Sequence, residues 1–376
     1  MVYNNTNLND LPDIVELRDW LMGVIQKFPV IHRKPYEKEI LDDRKYIVTP
    51  LVSGRYSFKP NITRQGLLFH GSNRYYENFV PRLYQEGKPD HLFVNVQREA
   101  LLITMESHPI YRLLMEGIVF PNGRRFVVHN PYGLVACYGH STPFIQLTSD
   151  LDTAIMYAIT ANKENARRRY LNTNDSKTGV LYVFELRSIF GMIPGLSTLG
   201  LQAFDRPGRL REFLFQMNPN TNFNDMPNVK GFVFRHDLAL ERDLLMRIRR
   251  PRLTDALSIK MNNLFQRQGD QLQLPIEALH RNTQVNHLTK ADEQMNKKKL
   301  KEKISFDAEL SDYLFNENDF ADTCFISQWH QLCDKLHPII PSDQFLIDAL
   351  RRVPEDARYS LYFNKEQWLE HLSTRR

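Results

Sequence analysis

The chain has 376 residues, 42% hydrophobic and 25% charged, with 49 Lys and Arg against 44 Asp and Glu. This is the composition of a globular fold, long enough for about two domains, and a net charge of +5 is too slight to demand a nucleic-acid partner. Three cysteines without a Cys-x-x-Cys pair exclude a disulfide scaffold and a zinc or thioredoxin-type motif. No apolar run approaches the roughly 18–20 residues of a membrane span.

Met1 to Asn7 lacks the basic start and apolar core of a signal peptide, so a reduced, cytoplasmic setting is expected. Ile14, Leu17, Leu21, Val24, Ile25 and Phe28 predict one face of an amphipathic helix, with Pro12 in its first turn and Pro29 ending it. A connecting region with scattered Pro and Gly runs to about Asn61. Gly66-Leu67-Leu68-Phe69-His70-Gly71 reads as a buried strand ending in glycine, and Val96 to Glu116 reads as helix. Tyr138 to Ala158 reads as a short apolar strand, a Thr148-Ser149-Asp150 turn and a helix with Leu151, Ala154, Ile155 and Ala158 at helical spacing. Asp150 or Ser149 is placed to cap that helix. Such a hand-off leaves hydroxyls and backbone donors at a strand edge, a common seat for a polar ligand.

Gly179 to Leu186 is a strong strand, rich in β-branched and aromatic residues, and Phe213–Met217 and Gly231–Arg235 are two more. Beyond Ala239 the pattern turns helical through Leu244, Leu245, Ile248, Leu257, Ile259 and Leu264. The polar stretch from Arg281 to Lys303 reads as a boundary, and its Lys297-Lys298-Lys299 run as a solvated segment rather than a nucleic-acid grip. A helical tail anchored by Phe325, Trp329, Leu336, Phe345, Leu350 and Trp368 follows. The expected organisation is an N-terminal helical and connecting segment over 1–60, a mixed α and β domain over 61–253, a helical and basic linker over 254–303, and the tail over 304–376.

Three pieces of the middle domain carry a family resemblance: Leu68-Phe69-His70-Gly71-Ser72; Tyr138-Gly139 and Thr142 with Leu147-Thr148 and the Ala154, Tyr157-Ala158 helix; and Arg211-Glu212-Phe213-Leu214-Phe215 leading to Pro219 and Thr221. In this order they resemble the FRG domain, and the same skeleton is similar to the ADP-ribosyltransferase superfamily. The resemblance implies an α+β fold with a split β-sheet core and flanking helices. It implies NAD as substrate, with ADP-ribose transferred to a protein side chain, a nucleic-acid base or water.

By the same resemblance Glu212 is the catalytic carboxylate, stabilising positive charge on an oxocarbenium-like ribose and bonding a ribose hydroxyl. His70 would hold the adenosine ribose hydroxyls, Gly71 would let backbone approach the nicotinamide amide, and Ser72 would add a hydroxyl. Thr148 and Ser149 would position the nicotinamide end, and Tyr157 would stack on it. Arg74 and Arg82, beside Tyr75 and Tyr76, would meet the pyrophosphate. Asn130-Pro131-Tyr132-Gly133 and His140 are looser candidates for substrate contact. Each also has a plain reading: Glu212 as a surface residue on the strand face opposite Phe213 and Phe215, His70 as a satisfied histidine, Thr148 and Ser149 as helix caps, and Tyr157 as core.

The chain departs from the family pattern. His70 replaces the FRG arginine, Cys137 stands where many FRG domains have histidine, and Pro143 and Gln146 stand where they have arginine and aspartate. Leu210 takes the place of the outer glutamate of arginine-directed transferases. These changes point away from arginine as acceptor. They keep open a non-catalytic module that binds a nucleotide or nucleic acid in a bacterial defence or toxin system. A third reading is an interaction protein whose tail docks a partner. The sequence has no Gly-x-Gly-x-x-Gly, Walker loop or His-Glu-x-x-His, and no metal site is expected.

Overall fold

The computed structural model describes residues 8–27, 40–41, 46–50, 55–60, 66–85, 91–119, 125–127, 130–162, 169–171, 177–186, 195–199, 201–248, 253–265, 267–268, 270–306 and a discontinuous set between 309 and 370. Phe28, Pro29, Phe325 and Trp368 lie outside them. The fold is α+β, built on a six-stranded antiparallel sheet. Its strands are β1 (Leu67–Ser72), β2 (Phe144–Thr148), β3 (Thr178–Glu185), β4 (Leu196–Thr198), β5 (Glu212–Gln216) and β6 (Val229–Arg235), in spatial order β4-β5-β2-β1-β3-β6.

The sheet is two three-stranded halves. Within each half the ladders are long: β3 pairs β6 from Thr178↔Arg235 to Phe184↔Val229, and β5 pairs β2 from Glu212↔Thr148 to Gln216↔Phe144. Between the halves, β1 and β2 share one register pair, Phe69↔Thr148. Beyond it the main chains part, and the His70 side chain bridges the gap, with Nδ1 2.7 Å from the Gln146 carbonyl.

Strand alternation sorts the apolar residues into two faces. One carries an aromatic cluster of Phe79, Tyr182, Phe184, Phe213, Phe215 and Phe223. The other presents Phe69, Leu181, Val183 and Phe234 to three helices, α1 (Ile14–Lys27), α5 (Leu151–Ile159) and α7 (Leu238–Arg247). Helix α1 starts later than expected. Asp13 Oδ1 accepts from the N–H groups of Val15 and Glu16 at 2.8 and 2.9 Å, while Glu16 accepts from Asp13 N–H, a capping box. Pro12 therefore precedes the cap, and its carbonyl accepts from Arg235 N–H at 2.9 Å.

The stretch expected as one helix from Val96 is two, α2 (His91–Glu106) and α3 (Pro109–Glu116). The break falls at His108, extended at φ −83° and ψ 119° before a proline. The connecting region before Asn61 contains strands at Ile40–Leu41, Tyr46–Pro50 and Arg55–Pro60, in a five-stranded sheet with Arg125–Phe126 and Ile118–Val119. The Asn130-Pro131-Tyr132-Gly133 segment opens helix α4 (Pro131–Cys137). Asn130, at φ 80°, caps it through Gly133 N–H at 2.7 Å.

Downstream come α6 (Asp205–Arg209), α8 (Ala256–Leu264), α9 (Ile276–Val285), α10 (Lys290–Leu300) and α11 (Asp343–Arg351). The polar stretch expected as a boundary is mostly helix. Ala278, Leu279 and Leu300 are buried in a core shared with α2, α3 and α4 and with Trp329, Leu332, Leu336 and Leu350 of the tail. Arg281 reaches back to α2, donating to Glu106 at 2.6 Å and pairing with Glu99 at 3.0 Å. The divisions placed at 253 and 303 thus fall across this packed core. Lys297, Lys298 and Lys299 are exposed in the last turn of α10, where the helix dipole favours cations. No helix among the described residues is long and apolar enough to cross a membrane.

Gly71 sets the fit between β1 and α5. A Cβ there would lie 1.8 Å from the Ala154 carbonyl oxygen and 2.7 Å from the Ala158 nitrogen. Both obstacles are helix backbone, which cannot swing aside. Replacing Gly71 by Ala is expected to destabilise the fold by about 3 kcal/mol, read as a lowered urea midpoint at unchanged m-value. A loss under about 1 kcal/mol would show that α5 does not press on β1 here.

Candidate functional site

The parting of β1 and β2 leaves a cavity of about 50 Å³. His70, Gly71, Thr148, Tyr157 and Glu212 all line it, with Gln146, Thr153 and Leu210. Ser72 and Ser149 are buried but lie outside that lining: Ser72 Oγ donates to the Arg74 carbonyl at 2.7 Å.

Glu212 is not a surface residue. It is 5% exposed at the start of β5, and alternation puts it with Leu214 on the face opposite Phe213 and Phe215. Its carboxylate receives a hydrogen bond from the Cys137 thiol at the end of α4, while Oε2 is buried with no partner. Burial raises its pKa to about 7, against the opposing pull of the Cys137 bond and the Arg206 charge. The Cys137 thiol is itself pushed up, first by burial and then by the Glu212 charge.

The turn before Glu212 is held from β2. Thr148 Oγ1 donates to the Leu210 carbonyl at 2.6 Å, and Ser149 N–H donates to the Arg211 carbonyl at 3.2 Å. Arg211 sits at φ 48°, a left-handed conformation that costs a non-glycine residue about 1 kcal/mol or more. Thr148 and Ser149 thus act through backbone on the position of Glu212. The Thr148 hydroxyl also accepts from Asp150 N–H at 3.1 Å. Asp150 is the cap residue of α5, but its carboxylate accepts the Thr153 hydroxyl at 2.7 Å and no backbone N–H.

His70 is held neutral, its pKa lowered to about 4 by burial against the Gln146 hydrogen bond. Since a carbonyl only accepts, Nδ1 carries the proton and Nε2 is an acceptor. The ring packs 5.2 Å from Phe79 and 6.0 Å from Tyr182. Gly71 faces the cavity on one side and α5 on the other, so its missing Cβ is already required by the helix.

The looser candidates lie elsewhere. Arg74 donates to the Tyr76 hydroxyl at 2.5 Å, and Arg82 donates to the Gly139 carbonyl at 2.9 Å. His140 is tied to the Val94 carbonyl at 3.0 Å and lowered to about 4, chiefly by burial. None of them lines the cavity. His236 forms a buried pair with Glu241 at 2.5 Å while its other nitrogen faces the Asn73 carbonyl at 3.1 Å. Burial opposes its protonation, but Glu241 and the carbonyl outweigh it and raise the pKa. This pair ties α7 to the segment just after β1.

Two residues near Glu212 went unnoticed in the sequence. Arg206 of α6 stands with its guanidinium carbon 5.2 Å over the Tyr138 ring. Asp255 accepts both the Tyr138 hydroxyl at 2.7 Å and the Arg206 backbone N–H at 3.1 Å. No sequence motif marks either residue. A larger cleft of about 320 Å³, lined by Arg125, Phe345, Asp348 and Arg352, shares no residue with the split. No group of three or more His, Cys, Asp or Glu able to hold a metal occurs among the described residues.

Comparison of the chain with protein-family models, curated proteins and solved structures returns no match.

A carboxyl raised from 4.5 to about 7 in the folded state binds more protons there than in the unfolded chain. Stability falls as pH rises through that window, by up to about 3 kcal/mol. Glutamine cannot ionise and escapes this penalty. Glu212→Gln is therefore expected to match the wild type in unfolding free energy near pH 4 and to exceed it at pH 8. A gap of the same size at both pH values would show that Glu212 is not buried as a carboxyl.

Proposed function

We propose that the chain cleaves NAD at the nicotinamide–ribose bond, as an ADP-ribosyltransferase or NAD glycohydrolase of the FRG and ADP-ribosyltransferase type. One observation carries this reading. A buried carboxylate with an unbonded oxygen opens onto the same cavity as His70, Gly71, Thr148 and Tyr157. A carboxylate that is buried, raised in pKa and unsatisfied is costly to a fold, and such costs concentrate at functional sites. The two-halved sheet gives further support, since the resemblance implies a split sheet.

In the proposed reaction the C1′–N bond breaks and nicotinamide leaves as a neutral base with the bonding pair. Positive charge grows on the ribose, where ionised Glu212 stabilises it in a site of low dielectric. The acceptor, which is water, a protein side chain or a nucleic-acid base, adds its lone pair to C1′ and gives up a proton. His70 Nε2, an acceptor, suits a ribose hydroxyl, and the Tyr157 ring suits the nicotinamide plane. The cytoplasmic setting, with no membrane partner, belongs to this proposal.

The cavity as it stands is too small for a nucleotide. About 50 Å³ holds one or two waters, whereas ligand pockets run from about 300 Å³. A dinucleotide enters only if the halves of the sheet part further. A module that binds nucleotide or nucleic acid without turnover, in a bacterial defence or toxin system, is the second reading; it needs the same opening, and the departures at Cys137, Pro143 and Gln146 are what favour it. The tail docks a protein partner only in the third reading, and its buried Leu332, Leu336 and Leu350 are already used in the core.

Nicotinamide release from NAD separates the readings. The enzyme reading predicts release that rises with pH through about 7 and that drops on the order of 10²-fold in Glu212→Gln with the fold intact. An NAD-dependent rise in melting temperature, equal in wild type and Glu212→Gln and without any release, would favour the binding module.

A further inference from the structure

The carboxylate at the split is held from one side. Helix α4 lies against the face of β5 that carries Glu212 and Leu214: a Cβ on Gly133 of α4 would lie 2.3 Å from Leu214 Cδ1. The end of this helix is fixed on both sides of Cys137. The Ala136 carbonyl accepts from Nε2 of Gln146, which lines the cavity, and the Tyr138 hydroxyl donates to Asp255 at 2.7 Å. The Gln146 carbonyl also accepts from His70, so one residue of β2 anchors both the imidazole and the end of α4. Cys137 is 1% exposed, and its thiol donates to the Glu212 carboxylate. Among the described residues this is the one hydrogen bond that the carboxylate receives, and Oε2 has none.

A thiol is a weak donor. A stronger donor in its place would grip the carboxylate more firmly and draw its pKa further down, whereas a methyl group would leave the carboxylate unheld. The thiol fixes one oxygen and leaves the group near neutrality. Among the described residues the other charge that acts on Glu212 is Arg206 of α6, while His70 of β1 and Tyr157 of α5 share the cavity wall with it.

We propose that Cys137 is a positioning residue, which holds the Glu212 carboxylate by one oxygen from the fixed end of α4 and leaves the other free at the split. This gives a role to one of the departures from the family pattern. It rests on the NAD reading only for what meets the free oxygen.

The test compares Cys137→Ala, which removes the donor, with Cys137→Ser, which restores one. The Glu212 carboxyl is titrated in the full chain by infrared difference spectroscopy, its band assigned by comparison with Glu212→Gln. Loss of the thiol removes a bond that favours the ionised form. The midpoint is therefore expected about one pH unit above the wild type in Cys137→Ala, and at or below the wild type in Cys137→Ser. Nicotinamide release should follow ionisation. In Cys137→Ala kcat falls roughly fivefold at about pH 7 with KM unchanged and recovers by about pH 9, and in Cys137→Ser it stays near the wild type. A packing role alone would move thermal stability and leave the midpoint where it was. An unchanged midpoint in Cys137→Ala, or a Cys137→Ser protein that titrates like Cys137→Ala, would overturn this inference and leave the NAD reading standing. Midpoints in the expected order, in a protein that releases no nicotinamide, would bear the inference out and overturn the NAD reading.

Discussion

The halves of the central sheet meet at one register pair, Phe69 with Thr148, and the site follows from that constraint. Antiparallel strands normally satisfy each other's backbone groups along their length. Here the ladder stops after one pair, and an imidazole takes over, with His70 donating to the Gln146 carbonyl. The gap that opens is narrow and lined from both halves. The Thr148 side and the Glu212 end of β5 are held together by the bonds to Leu210 and Arg211, so the carboxylate is fixed at the gap rather than free to swing out.

The cost of this arrangement is local and identifiable. Glu212 is desolvated, one of its oxygens is unbonded, Arg206 Nε is unbonded, and Arg211 holds a left-handed backbone. Around them the packing is close, with Gly71 against α5 and, on the opposite face, Phe79 stacked on Tyr182 with Phe223 edge-on to both. A rigid surround that sustains a strained, unsatisfied centre is the usual form of a site whose stability has been given up for function.

Much of the scaffold was legible in the sequence because its signals are local. Alternation placed Glu212 opposite Phe213 and Phe215, and the apolar spacing of Leu151, Ala154, Ile155 and Ala158 marked α5. The family resemblance brought His70, Gly71, Thr148, Tyr157 and Glu212 forward together, and all five line one cavity. What escaped is non-local. Arg206 meets Tyr138 and Asp255, neither near it in sequence, and the parting of β1 from β2 is a matter of pairing, which a strand pattern does not encode. The Arg281–Lys303 stretch looked like a boundary because its polar residues cover an outer surface, while Leu300 and the Arg281 pairs with α2 hold it to the core.

The central claim is that Glu212 is a buried carboxyl poised to meet positive charge in the split. Carbon-13 NMR titration of the Glu212 carboxyl, assigned by its absence in Glu212→Gln, tests this most directly. The account predicts an apparent pKa of about 7 in the free protein, falling when NAD brings its cationic nicotinamide ring beside the carboxylate. A titration at the ordinary glutamate value that does not respond to NAD would contradict it.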